Sequence, residues 1–276
     1  MSATTANYVV PFDAVAESYD DTFTKSKIGR AQRSAVWREL EKIFFHGDRV
    51  LEIGCGTGID ACFLANRGVS VLACDSSPRM VQTAEHRVEQ TQNQRLVKTR
   101  VVAAERLGSL DDSERYDGAF SNFGALNCVK DTGLLVGELA RLVRPGGSAL
   151  LCWMGPFCVW EMFWYACHGN SAKAFRRLRR QPVSARLAEG VTVRVHYPSV
   201  RSLAKQFQPY FSLTEIVGVG IFVPPSYIEP GAKRFPRLLR GAERLDAFFS
   251  HCPGVRVLAD HILLRFERTD HEVRHP

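Results

Sequence analysis

Three glycines within five residues, at the end of a short apolar run, constrain this chain more than any other feature. Arg49-Val-Leu-Glu-Ile predicts a strand, Gly54-Cys-Gly56-Thr-Gly58 a tight turn, and Ile59 to Arg67 a helix that Gly68 stops. Without side chains the turn lets main chain approach a ligand closely, and amides at the following helix start can point at it. A tight turn of purely structural purpose satisfies the same glycines, so the pattern takes its meaning from its surroundings.

Those surroundings alternate. Val69 to Cys74 predicts a second strand, Pro78 to Gln90 a helix, Leu96 to Val102 a third strand and Tyr116 to Ser121 a fourth. Leu134 to Val143 predicts another helix, Arg144-Pro-Gly-Gly a turn, and Ser148 to Trp153 a fifth strand. Short apolar strands between helices predict an α/β fold with a parallel sheet wound by helices on both faces.

Ahead of this core, placed at 47–154, Val15, Tyr19 and Phe23 and then Val36, Leu40, Ile43 and Phe44 recur at helical spacing, which predicts a helical cap over 1–46. After Met154 the alternation breaks, and 155–200 reads as a helical lid insertion that opens on an aromatic helix. The region 201–276 returns to the core, with a helix at Arg201 to Phe207 and strands at Phe211 to Val223 and Ala259 to Phe266. Between those strands lies a second insertion at 224–255 with a helix at Arg234 to Phe249, and 269–276 reads as a solvated tail.

Asp75 ends the second strand about twenty residues past the turn, where a carboxylate can take both hydroxyls of a ribose. As Asp75-Ser-Ser-Pro it also suits the cap of the next helix. In order along the chain stand Glu52-x-Gly54-x-Gly56-x-Gly58, Asp75, Tyr116-Asp-Gly-Ala-Phe-Ser-Asn122 and Leu142-Val-Arg-Pro-Gly-Gly147. These four motifs resemble those of class I S-adenosylmethionine-dependent methyltransferases. The leader Phe12-Asp-Ala-Val-Ala-Glu-Ser-Tyr19-Asp20 resembles the cap of the branch that holds the ubiquinone and menaquinone methyltransferases.

The resemblance implies a Rossmann-like, doubly wound, seven-stranded sheet, mostly parallel with an antiparallel last strand, and S-adenosylmethionine as cofactor. It places Gly54, Gly56 and Gly58 at the methionine part with Glu52 beneath, Asp75 on the ribose, Ser76 and Met80 beside the adenine, and Ala104 and Glu105 along its other face. It sets Tyr19 against the cofactor from the cap, and Ser121 and Asn122 at the strand end where the methyl meets its acceptor. Many members carry Asp where this chain has Ala103, so the adenine contact falls to Glu105 or is absent. A nicotinamide-dependent enzyme is the main rival, since Gly56-x-Gly58-x-x-Ala61 fits the loose dinucleotide pattern. The pattern begun at Gly54 fails at Ile59, and the Arg-Pro-Gly-Gly turn favours the methyltransferase.

The sulfonium is already an activated methyl donor, so alignment and exclusion of water are the main demands. A general base is optional; His168, His196 and Tyr19 are open to that role, none is assigned to it, and no metal is expected. Asn127 suits either an acceptor contact or a helix cap. The aromatic run Phe157 to Tyr165 reads as a helix packed on the core or a lid over the acceptor, with an interfacial membrane helix as a third reading. Lys173, Arg176, Arg177, Arg179, Arg180 and Arg186 are six cations before the next acid, Glu189, and fit a solvated face or a dock for an anionic acceptor.

Formal charge is +7, and without an appended recognition module it argues little for nucleic acid. Eight cysteines without a C-x-x-C pair, and no apolar stretch of membrane-spanning length, predict reduced thiols in a cytoplasmic protein. The acceptor is expected to be a small molecule, anionic or aromatic. A carrier-bound or RNA acceptor, and a cofactor-binding protein without turnover, are the alternatives.

Overall fold

The computed structural model describes residues 10–110, 113 and 115–270. The cap holds α1 (Ala16–Tyr19), a π-helical turn over Asp20–Thr24, and α2 (Lys27–Leu40), whose N-terminus is capped by Ser26. The core then runs β1 (Arg49–Ile53), α3 (Ile59–Ala65), β2 (Ser70–Asp75), α4 (Pro78–Glu89), β3 (Val97–Val101), β4 (Tyr116–Ser121), α5 (Thr132–Leu142) and β5 (Val143–Trp153).

After β5 come α6 (Val159–Cys167), α7 (Ser171–Ala174), β6 (Val183–Ala188) and β7 (Val191–Val195). The expected helical lid at 155–200 is therefore half helix and half antiparallel hairpin, β6 pairing with β7 apart from the main sheet. The alternation Val191-Thr-Val-Arg-Val carries that hairpin, its apolar positions turned inward. The chain closes with α8 (Val200–Phe207), β8 (Phe211–Val219), α9 (Glu229–Arg234), α10 (Pro236–Phe249) and β9 (His261–Arg268). The proposed tail beyond Asp270 lies outside the described residues.

The main sheet has seven strands in the order β3-β2-β1-β4-β5-β9-β8. The first five are parallel, and β9 runs antiparallel to both β5 and β8, as expected of the last strand. Period-two burial splits β1 between two cores. Leu51 and Ile53 pack with Leu135, Leu139 and Phe207 on one face, and Val50 packs with Val36, Leu40, Ala61 and Leu64 on the other. The strand order reverses between β1 and β4, so a crevice opens beyond their carboxyl ends. All eight cysteines are free thiols.

Candidate cofactor and acceptor site

The glycine turn leaves β1 with the amides of Gly54 and Cys55 both donating to the Cys74 carbonyl, at 2.8 and 2.9 Å, which ties it to β2. Two glycines answer to packing: a Cβ at Gly54 would stand 2.3 Å from the Ala125 Cβ, and one at Gly58 2.8 Å from the Ala84 Cβ. Gly56, at φ +52°, meets nothing within 4 Å, so its main chain faces open space.

Asp75, at the end of β2, accepts the Gly56 amide at Oδ2 and the Ser77 amide at Oδ1, both at 2.9 Å. Burial raises its pKa against the pull of those amides. Ser77 rather than Asp75 caps α4, accepting the Met80 amide at 3.1 Å. Met80 is buried, Ser76 is exposed, and Ala104 lies half-buried against the core. Glu105 is exposed and accepts the Lys130 amide at 3.3 Å.

Glu52 is 1% exposed and its Oε2 has no hydrogen-bond partner. Burial pushes its pKa well above the usual carboxylate range, with the charges of Asp60 and Asp75 adding to the effect and Arg33 opposing it. A cradle open at Gly56, a carboxylate with free lone pairs at Asp75 and an orphaned buried oxygen at Glu52 fit a ligand carrying hydroxyls and hydrogen-bond donors. Those are the groups of an S-adenosyl compound.

The cap covers this cradle. Asp20 accepts the Thr57 hydroxyl at 2.8 Å and pairs with the Arg87 guanidinium, while Asp13 accepts the Ser77 hydroxyl at 2.5 Å and the Arg79 amide at 3.2 Å. Tyr19 is pushed up to about 12 by desolvation, with Arg33 opposing and the Asp60, Asp75 and Asp20 carboxylates adding to the rise. Its hydroxyl keeps its proton near neutrality and serves as a donor.

Asp60 was not legible as a site residue. From the first turn of α3 it accepts Arg33 Nη1 at 2.5 Å, Trp37 Nε1 at 2.6 Å and Asn122 Nδ2 at 3.0 Å. Asn122 also accepts the Phe123 amide at 3.1 Å, and Ser121 donates to the Ile53 carbonyl at 2.6 Å. Both side chains at the β4 end are thus held by internal bonds. Asn127 is fully buried and neither caps a helix nor faces a crevice: it bonds Met154 through both its groups, at 2.8 and 2.9 Å, and the His196 carbonyl at 2.5 Å.

Beyond β4, Phe123 adopts φ +47°, a left-handed conformation that costs a residue with a Cβ about 1–3 kcal/mol and often marks a functional site. Its ring meets Phe23 at 4.9 Å and His261 at 5.6 Å between centroids, with the Arg33 guanidinium 4.7 Å from its centre. Four buried polar atoms of α2, its approach and β9 lack a hydrogen-bond partner among the described residues, Thr24 Oγ1, Gln32 Oε1, Arg33 Nε and His261 Nδ1, and of these side chains Arg33 and His261 lie against the Phe123 ring. Burial lowers the His261 pKa, Asp260 works against that and Arg177 adds to it, so the ring is neutral near pH 7. His168, in contrast, is exposed and bonded to the Trp164 carbonyl.

The lid inverts the aromatic-helix expectation. Its α6 buries its single charge, Glu161, at 1% exposure, and leaves Phe163 at 63%. Two of the six cations of 173–186 point inward to meet that charge. Arg176 Nε reaches Glu161 at 2.6 Å, and Arg177 Nη2 reaches Glu161 at 2.8 Å and Asp260 at 2.7 Å. Lys173 lies 4.4 Å from the centre of the Tyr165 ring, while Arg179, Arg180 and Arg186 are exposed.

Residues 51–151 match the family described as "Methyltransferase domain". The chain is 30% identical over 143 residues to a demethylmenaquinone methyltransferase of Corynebacterium kroppenstedtii, covering 51% of this chain and 57% of that one. It spans about half the length of the curated relatives it matches, 55 to 57% for the first three. In fold it is similar to a methyltransferase of Streptomyces caelestis (TM-score 0.60, 15% identity, 94% of this chain and 96% of that one). It is also similar to an S-adenosylmethionine-dependent methyltransferase described from Listeria monocytogenes (TM-score 0.58, 17% identity, 85% and 96%). The core from β1 to β5 carries the methyltransferase-domain match and has the fold of these S-adenosylmethionine-dependent methyltransferases.

Proposed function

We propose that the whole chain is a methyltransferase that passes the methyl group of S-adenosylmethionine to a small acceptor with an aromatic body and a polar group, seated between cap and lid. The observation that carries the acceptor class is the pair of buried atoms without a hydrogen-bond partner, Arg33 Nε and His261 Nδ1, on side chains that lie against the Phe123 ring. Buried polar atoms are rarely left without partners, so a pair of them beside strained backbone supports a polar ligand there.

The bound cofactor supplies a methyl carbon already activated by its sulfonium. Asp75 holds the ribose hydroxyls, the loop through Gly56 and the Glu52 carboxyl hold the methionine end, and Met80 and Ala104 flank the adenine. Burial raises the Glu52 pKa well above the usual carboxylate range, which favours the form that can donate as well as accept. Phe23 and Phe123 orient the acceptor ring, and Arg33 draws electron density toward its polar group. The neutral His261 ring takes the proton that the acceptor loses, and Asp260, whose Oδ2 lies 3.4 Å from Nδ1, stabilises the imidazolium that results.

The name demethylmenaquinone methyltransferase carried by several relatives supports an aromatic acceptor. The RNA alternative loses support, because two arginines of the basic run are spent on Glu161, whereas the carrier-bound alternative keeps the support of a relative named malonyl-[acyl-carrier protein] O-methyltransferase. Calorimetry with S-adenosylhomocysteine, and NADH as control, tests the cofactor: micromolar binding of the first alone is expected. Transfer of labelled methyl to a panel of phenols, quinols and aliphatic amines then tests the acceptor class. Labelling confined to the amines would overturn it.

A further inference from the structure

The second insertion carries a helix whose solvent face is sorted by chemistry. On α10, Leu238, Gly241, Leu245 and Phe248 follow helical spacing along one stripe, and three of these are large apolar side chains left 71%, 46% and 79% exposed. Arg237, Arg240 and Arg244 line the adjacent stripe, all exposed, and none forms an ion pair among the described residues. The face toward the protein holds Leu239 and Asp246. Phe235, 52% exposed, and Lys233 and Arg234 extend the two stripes toward α9.

The acids of this region do not answer those cations. Asp246 is buried and accepts the Phe222 and Val223 amides, and Glu229 accepts the Lys27 and Ile28 amides at the start of α2. Between α2 and α10 a groove of about 320 Å³ carries Lys27, Arg30, Arg38 and Arg240 on its walls against Glu243 and Asp246. An apolar stripe beside an all-arginine stripe, with a cationic groove alongside, is complementary to a layer whose interior is hydrocarbon and whose surface is phosphate. A protein partner would have to match exposed leucine and phenylalanine with carboxylates on one narrow helix face, and an anionic bilayer matches both without a specific sequence.

We propose that α10 is a docking face for a membrane rich in anionic phospholipid, with Leu238, Leu245 and Phe248 entering the acyl boundary and the arginines with the groove holding headgroup phosphates. The face is separate from the cofactor cradle, so the proposal stands apart from the identity of the acceptor.

Co-sedimentation of the full chain with vesicles of phosphatidylglycerol and phosphatidylcholine, against phosphatidylcholine alone, tests it. Binding is expected to the first only, and to weaken with salt. Leu238→Asp with Phe248→Asp should lower the partition about tenfold or more per side chain. Each of Arg237→Gln, Arg240→Gln and Arg244→Gln should lower it about fivefold and flatten the salt dependence. All five positions are exposed, so melting temperature and S-adenosylhomocysteine affinity should stay unchanged, which separates lost docking from lost folding. Equal binding to both vesicle types, no binding to either, or binding indifferent to the stripe overturns the proposal. So does a dimer, seen by sedimentation equilibrium without vesicles, that the Asp variants convert to monomer.

Discussion

Asp75 at the cofactor end and Asp260 beneath the lid are both almost out of water, 9% and 5% exposed, yet their partners differ in kind. Asp75 is held by main-chain amides of the glycine turn and of Ser77 and among the described residues faces no cation within hydrogen-bonding distance, whereas Asp260 and Glu161 are gripped by Arg177, 83 and 16 residues away along the chain. Amides fix a carboxylate in place and leave lone pairs for a ligand. A guanidinium consumes them. The first arrangement suits binding, and the second fastens α6 and the segment after α7 to the start of β9.

The contrast predicts which property each residue controls. Arg177→Met strands two buried carboxylates and should cost about 3–5 kcal/mol of stability in urea unfolding, with cofactor affinity little changed in what still folds. A loss under about 1 kcal/mol would show that the lid is held by packing and break the comparison. Asp75→Asn should weaken S-adenosylhomocysteine by about 1–3 kcal/mol in titration calorimetry and spare most of the stability. Gly56→Ala, placed in a left-handed conformation but in open space, should cost about 1 kcal/mol of stability and show a further loss only with cofactor present. Equal losses in both assays would mean that Gly56 serves the turn alone.

The smallest effect is one of sign. Unfolded, both aspartates titrate near about 3.9. Burial raises the folded pKa of Asp75, so its contribution is fully present below the unfolded value and is lost as pH rises through the folded one. For Asp260, His261 and Arg177 outweigh burial and depress the pKa, so its contribution is present above the unfolded value and is lost as pH falls through the folded one. Urea unfolding across the acid range should show Asp75→Asn removing the first loss and Asp260→Asn the second. The same slope change from both variants would contradict the comparison.

What could be read from the sequence followed the range of the interactions. The first four parallel strands came within a residue or two because period-two burial is local, and the glycine turn because positive φ at Gly54, Gly56 and Gly58 is a local demand; β5 begins five residues before the expected Ser148, since the Arg144-Pro-Gly-Gly segment read as a turn is part of the strand. That Ser121 and Asn122 end the fourth strand was legible by position, but their bonds to Ile53 and Asp60 were not. Arg177 looked like one cation in a run, since its partner Asp260 is 83 residues away. His261 was missed for a related reason: nothing near it in sequence marks it, and only the closing strand brings it to Phe123. The β6–β7 hairpin had a visible alternation, obscured by the arginines that precede it.

The aspartates of the cap have a consequence for turnover. Asp13 and Asp20 both tie the cap to α4, the first through Ser77 and Arg79 at its start and the second through Arg87 near its end, and Asp20 also holds Thr57 of the glycine turn. On the proposed function, spent product would leave from beneath the cap that carries Tyr19, and both grips would have to part for it. The release step is then as much a property of two acidic residues in the leader as of the cleft itself, and substitutions there should move the burst amplitude rather than the rate of the first methyl transferred.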